Sequence, residues 1–91
     1  MLDIKPFILF ATESWQQVFL EFSWLDDQSY ANLRGFLAAV KVAEPSAIIN
    51  EQDGFDSTTI EISGLGPEGW ACWSGFKSVC GGIIQYQIPY D

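Results

Sequence analysis

The chain has 91 residues, 48% of them hydrophobic, and twelve acidic against four basic side chains give a net charge of −8 with no histidine. This length allows one domain with a modest core, and the hydrophobic content excludes a disordered chain despite the charge. A compact body this acidic repels nucleic acid and anionic membranes, so we expect direct binding to neither.

The first part of the chain predicts an antiparallel hairpin. The apolar run Phe7 to Ala11 is typical of a buried strand, and Glu13-Ser14 of a turn. From Gln16 to Leu25 apolar residues alternate with others, which indicates a half-buried strand. The residues predicted to share one face are Val18, Leu20, Phe22 and Trp24, with Phe19, Glu21 and Ser23 opposite.

A helix is predicted over residues 27–43. Asp26 and Asp27 suit a helix start, because acids favour the positive end of the helix dipole and can cap free amides. Apolar residues then follow at helical spacing, and Pro45 ends the element. They are Tyr30, Leu33, Phe36, Leu37 and Val40.

The second half predicts another hairpin and a final strand. Residues 47–49 begin a strand, Asp53-Gly54 is a turn signal, and residues 58–62 are β-branched and alternating. A loop is predicted over residues 64–69, and residues 70–76 fit either a helix or a strand. A last strand is predicted over residues 83–88.

The sequence therefore predicts a small single α+β domain, residues 1–91, with one main helix packed on an antiparallel sheet of about five strands. No internal repeat or linker is apparent. The first residues lack the basic and apolar regions of a secretory signal, so we expect a cytoplasmic protein. Cys72 and Cys80 are expected to be reduced there rather than paired.

The residue types exclude the catalytic chemistry that depends on histidine, whereas no spacing singles out a pair of carboxylates as acid and base. Without histidine, the usual serine and cysteine catalytic arrangements and the commonest zinc ligand are missing. A nucleophilic Cys72 or Cys80 would have only Lys77 nearby to lower its pKa. We therefore predict no enzyme activity, no catalytic residue, no metal and no cofactor.

Two segments match binding motifs only in part. With Gly54 as the sixth position of a calcium loop, Ile49 and Ile60 occupy positions that require oxygen ligands. Residues 64–69 fit G-x-G-x-x-G, but Pro67 removes an amide donor and Glu68 would repel phosphate. Both are interpreted as structural segments.

The acids are concentrated. No basic residue lies between Lys41 and Lys77, so a charged recognition surface is favoured over a merely solubilising one. The predicted partner-binding acids are Glu51, Asp53, Asp56 and Glu61, with Asp26 and Asp27 as a second patch. Trp70 and Trp73 are the predicted aromatic contacts, the alternative being that both are core residues.

In size, acidity and lack of catalytic motifs the chain resembles bacterial inhibitors of nucleases, such as immunity proteins paired with toxins. That resemblance implies a non-enzymatic inhibitor that blocks a basic, nucleic-acid-handling protein such as a nuclease toxin, whose surface is basic because it holds phosphate. Two alternatives remain open. One is a phage-encoded nucleic-acid mimic that blocks a defence complex, and the other is a structural or accessory subunit of a larger assembly.

Overall fold

The computed structural model describes residues 8–80 and 83–86. In chain order the elements are β1 (Leu9–Ser14), β2 (Gln17–Phe22), α1 (Asp27–Ala43), β3 (Ile48–Asp53), β4 (Thr58–Ser63), α2 (Pro67–Cys80) and β5 (Ile84–Tyr86). The strands form one sheet in the order β3-β4-β2-β1-β5. The predicted α+β domain, with a long helix packed on a five-stranded sheet, is confirmed.

The sheet is mixed rather than wholly antiparallel. The pairs β1/β2, β2/β4 and β3/β4 are antiparallel, but β5 runs parallel to β1, with Leu9 opposite Ile84. The reason is the helix α2, which carries the chain from the end of β4 back to the end of the sheet at which β1 begins. A strand that follows such a crossover must run in the same direction as β1.

The stretch that fitted either a helix or a strand belongs to α2. Pro67 occupies the first helical position, where its missing N–H costs nothing, and Glu68 lies in the positive first turn. Trp73, Phe76 and Cys80 are buried at helical spacing. The buried residues of this stretch therefore follow the helical period rather than the two-residue period of a strand.

Both helices cover one face of the sheet. That face contributes alternate buried residues such as Leu20 and Ile60, and α1 contributes Leu33, Phe36, Leu37 and Val40. The Phe36 ring lies 5.6 Å from the Trp73 ring and 5.0 Å from the Phe76 ring, measured between centroids, and so joins the two helices. The opposite face, called here the helix-free face, carries the other alternate residues, including Phe19, Glu21 and Glu61.

The structure corrects the prediction that no internal repeat exists. The segments 8–40 and 48–80 have the same ββα order, and their hairpins share one register when residue numbers are shifted by 40. Phe10 pairs with Glu21 in the first repeat, as Asn50 pairs with Glu61 in the second. The helices begin at equivalent positions, Asp27 and Pro67.

A pseudo-twofold axis relates the two repeats. Leu20 and Ile60 occupy equivalent positions and also pair directly with each other across β2 and β4. The axis therefore passes between these two residues, perpendicular to the sheet. It places the two hairpin turns at opposite ends of the sheet, because β2 and β4 run in opposite directions.

Few identical residues mark the repeat, which is why the sequence did not reveal it. The identical pairs are Ile8/Ile48, Glu21/Glu61, Ser23/Ser63, Leu25/Leu65, Ala31/Ala71, Gly35/Gly75 and Phe36/Phe76. Many other core positions keep only their apolar character, because packing tolerates swaps of similar volume. Among the residues described, no helix is long and apolar enough to cross a membrane.

Candidate protein-binding surface

Four of the predicted acids lie at one end of the sheet. Phe22, the last residue of β2, pairs with Thr58, which follows the β3–β4 turn and also pairs with Asp53. The turn therefore lies where the chain leaves β2 for the start of α1. This topology places Asp53 and Asp56 of the first predicted group at the same end as the second group, Asp26 and Asp27. This end is called here the acidic end, and it also carries the aromatic residues Trp24 and Phe55.

The two aromatic residues at the acidic end are exposed and were missed by the sequence reasoning. Phe55 in the β3–β4 turn is fully exposed (103%), and Trp24 is 64% exposed. Trp24 was predicted to share a face with Val18, Leu20 and Phe22, but those three are buried and Trp24 is not, because β2 ends at Phe22 and the alternation stops there. Phe55 follows the turn signal Asp53-Gly54 directly, and that position could have indicated exposure.

Within residues 8–80 and 83–86, few contacts neutralise the acids at this end. Thr58 Oγ1 donates to Asp53 Oδ1 at 3.1 Å, and the Asp26 side chain makes no capping hydrogen bond although Asp26 is the N-cap residue. The described basic residues are engaged elsewhere. Arg34 pairs with Glu51, Lys77 lies 3.7 Å from Glu13 Oε2, and Lys41 Nζ donates to the Ala47 carbonyl.

Glu51 is committed to a contact within the chain. It lies on the helix side of β3, where Arg34 Nη1 donates to Glu51 Oε1 at 2.8 Å and Arg34 Nη2 donates to Glu51 Oε2. These hydrogen bonds from Arg34 lower the pKa of the Glu51 carboxyl, and they raise the pKa of Arg34. Glu51 therefore joins α1 to the edge strand rather than lying at the acidic end.

Glu61 lies on a different surface again. It pairs with Phe19 and Asn50 on the helix-free face and lines a shallow depression of about 230 Å³. Its equivalent in the first repeat, Glu21, is on the same face and accepts a hydrogen bond from Ser57 Oγ at 3.4 Å. The predicted set of acids is thus divided among three surfaces, because alternate strand residues point to opposite faces.

The glycine-rich loop before α2 has a structural explanation. The Gly69 amide, in the first turn of α2, donates to Glu44 Oε1 at 3.1 Å. A Cβ atom at Gly66 would lie 2.6 Å from that same oxygen, so the carboxylate approaches the loop closely. Glu44 therefore supplies the anion at this helix N-terminus, which supports the interpretation that the G-x-G-x-x-G match is structural.

The two predicted aromatic contacts have different environments. Trp73 is fully buried in the core, so its prediction as a partner contact was wrong. Its indole N–H has no hydrogen-bond partner among the described atoms. Trp70 is half-buried and lines an open cleft of about 360 Å³ with Trp15, which is 87% exposed.

The remaining sequence candidates show ordinary surroundings. Cys72 and Cys80 are free thiols, and Cys80 Sγ accepts a hydrogen bond from Asn32 Nδ2 at 3.6 Å. Lys77, the nearest base, contacts Glu13 and lies over the Trp73 ring. Within the described part of the chain, no group of histidine, cysteine or acidic side chains could hold a metal ion.

Comparisons with known proteins give no relative. No protein-family model, curated protein sequence or solved structure matches this chain at a significant level. Any functional conclusion therefore depends on the geometry and charge described above.

Proposed function

We propose that this protein is a non-enzymatic inhibitor that binds a basic, nucleic-acid-handling protein through its acidic end. The observation that carries the proposal is the association of four carboxylates with two exposed aromatic side chains at one end of the sheet. Aromatic anchors inside a charged rim are typical of protein-binding surfaces.

Charge and shape would contribute at different stages of binding. The carboxylates of the acidic end would attract a basic surface over a distance and so raise the association rate. Phe55 projects from a short turn, and its ring would then be buried against the partner and slow dissociation. A partner surface that normally holds phosphate would satisfy both conditions, since it is basic and accessible.

The first experiment is capture of the partner with immobilised protein, followed by kinetics with the purified partner. Raising the salt concentration should slow association more than it accelerates dissociation. Nucleic acid should compete with this protein for the partner. The double variant Asp53→Lys/Asp56→Lys should weaken binding by about 2 kcal/mol or more if both acids meet buried bases.

A matched pair of variants separates local recognition from net charge. Asp56→Lys and Glu68→Lys change the charge equally, and both positions are exposed, but Glu68 lies in the first turn of α2 at the other end of the sheet. Only Asp56→Lys should weaken binding strongly. Equal weakening by both variants would show that net charge, not the acidic end, governs binding. Salt-independent kinetics together with unchanged binding of Asp53→Lys/Asp56→Lys would show that the acids serve solubility alone.

The biological source of the partner separates the immunity-type inhibitor from the phage-encoded mimic. A nuclease toxin as the captured partner favours the first, and a subunit of a defence complex favours the second. Both hypotheses, the immunity-type inhibitor and the phage-encoded mimic, place the partner at the acidic end. The variant experiments described above therefore apply to either.

A second candidate function, an accessory subunit of a larger assembly, is favoured by the outer surface of the helices. The exposed residues along the middle of each helix are small and uncharged, which is unusual in a chain of net charge −8. They are Ala31, Gly35, Ala38 and Ala39 on α1, and Ala71, Ser74, Gly75 and Ser78 on α2. If this function is correct, Gly35→Arg should disrupt assembly while Asp56→Lys does not.

A further inference from the structure

Aromatic side chains on the two helices are covered by cations from the next helical turn. The Arg34 guanidinium carbon lies 5.0 Å from the centre of the Tyr30 ring, and Lys77 Nζ lies 5.5 Å from the centre of the Trp73 ring. Both pairs are four residues apart, a spacing that places side chains next to each other on a helix. Such distances allow a cation–π attraction.

The internal repeat reveals one aromatic residue whose cation is missing from the sequence. Trp70 is the equivalent of Tyr30, and the hydrogen bonds Tyr30 N to Asp26 O and Trp70 N to Gly66 O confirm that the two lie in the same turn. The residue equivalent to Arg34 is Ser74, which carries no charge. The indole ring of tryptophan attracts a cation more strongly than the phenol ring of tyrosine does. Trp70 is therefore the better cation-binding ring of the two, but its repeat has no cation at the position equivalent to Arg34.

A second indole lies beside Trp70. Trp15 occupies the β1–β2 turn, and the amide of Leu65 donates to the Gln16 carbonyl at 3.1 Å, which ties that turn to the loop before α2. Trp15, Trp70 and Pro67 then line the cleft of about 360 Å³. Trp15 is equivalent to Phe55, so each repeat presents an exposed aromatic residue from its turn.

We infer that the cleft between Trp15 and Trp70 binds a cationic side chain, arginine in particular, from a protein partner. Arginine fits because its planar guanidinium stacks on aromatic rings. At the equivalent position of the first repeat, Arg34 lies over the Tyr30 ring, where Glu51 and the Tyr30 hydroxyl, which accepts from Arg34 Nε at 3.0 Å, also hold it. The net charge of −8 favours a cationic occupant over an anionic one. The inference rests on the proposed function only for the source of the arginine, since the cleft lies at the opposite end of the sheet from the acidic end.

The test is a titration with N-acetyl-arginine-methylamide in which the NMR signals of the tryptophan indole N–H groups are recorded at each step. The signals of Trp15 and Trp70 should shift with one common dissociation constant, while that of buried Trp73 should not move. The citrulline analogue, which has the same shape without the charge, should cause no such shifts. Equal shifts with citrulline, or unmoved signals of Trp15 and Trp70, would overturn the inference.

The variant Ser74→Arg recreates the arrangement of the first repeat. Its guanidinium should cover Trp70 as Arg34 covers Tyr30 and abolish binding of the arginine probe. Ser78→Arg, one turn further along the exposed surface of α2, adds the same charge and should leave probe binding unchanged. Probe binding that persists in Ser74→Arg would contradict the inference, whatever the behaviour of the control.

The same variants distinguish this inference from the proposed function. With a captured partner, Ser74→Arg should weaken affinity about two- to fivefold relative to Ser78→Arg. If Asp56→Lys weakens binding and Ser74→Arg equals its control, the cleft is not a partner contact and the proposed function stands. If the arginine probe binds the cleft but no basic partner is captured, the proposed function fails and the cleft remains a cation site.

Discussion

At the residue scale, the most specific interaction is the pair of hydrogen bonds that Arg34 donates to Glu51. It connects the middle of α1 to β3, which forms one edge of the sheet and whose residues are mostly exposed. The two side chains are 39% and 30% exposed, so solvent screens the attraction. We therefore expect a contribution to the free energy of unfolding of under about 1 kcal/mol.

The contribution of Glu51 should depend on pH. Because the folded-state pKa of Glu51 lies below its ordinary value of 4.5, the stabilisation is fully present above that value and is lost as the pH falls through the folded pKa. Urea unfolding should show Glu51→Gln less stable than wild type at neutral pH, with the difference approaching zero in acid. A difference that grows on acidification would contradict this sign.

A second prediction at the residue scale concerns two glycines that occupy equivalent positions in the two repeats. Gly35 and Gly75 lie inside helices, and a Cβ atom at either would meet nothing within 4 Å. Gly35→Ala and Gly75→Ala should each stabilise the fold by about 0.5–1 kcal/mol, because alanine favours the helix. The contrasting variant is Gly69→Ala, whose Cβ would lie 2.6 Å from Leu65 Cδ2 and should destabilise.

At the element scale, the two helices are coupled through Glu44. This residue is the C-cap of α1, where its amide donates to the Val40 carbonyl at 2.7 Å, and its carboxylate accepts from the Gly69 amide of α2. One residue thus caps the end of the first helix with its backbone amide and the start of the second with its side chain.

Replacement of Glu44 should therefore destabilise the fold in graded steps. Glu44→Ala should reduce the free energy of unfolding by about 1 kcal/mol, since it removes both an acceptor and a negative charge from a helix N-terminus. Glu44→Gln keeps an acceptor and should lose less. Chemical denaturation measures both variants, and equal losses would show that only the charge matters.

At the scale of the whole molecule, the excess of acids opposes folding. The acidic end concentrates like charges, and the described ion pairs, Arg34–Glu51 and Lys77–Glu13, neutralise only a small part of the total. Self-repulsion of this kind weakens when salt screens it.

The melting temperature should consequently rise between roughly 0.01 and 0.2 M sodium chloride. Asp26→Asn/Asp56→Asn, which removes two negative charges from the acidic end, should raise stability at low salt and reduce the salt dependence. Gln28→Asn, an exposed neutral change at the start of α1, is the control for substitution itself. A melting temperature that falls with salt would show that attractive pairs dominate.

The sequence by itself determined the class of the fold, the long helix and both hairpins. Apolar period and turn signals are local properties, so the pattern around Leu33 to Val40 and the Asp53-Gly54 signal could be interpreted without neighbours. It also excluded histidine-dependent chemistry, because that depends on residue type alone.

Only the tertiary structure decided which distant residues meet. It placed Asp26 and Asp27 at the same end of the sheet as the turn that holds Asp56. It also buried Trp73, exposed Trp24 and engaged Glu51 and Glu44 in contacts within the fold. It also revealed the repeat, because strand register and helix starts persist where side-chain identity does not. These outcomes depend on which strands pair and in which register. A shift of the register by one residue would move every side chain of a strand to the opposite face of the sheet.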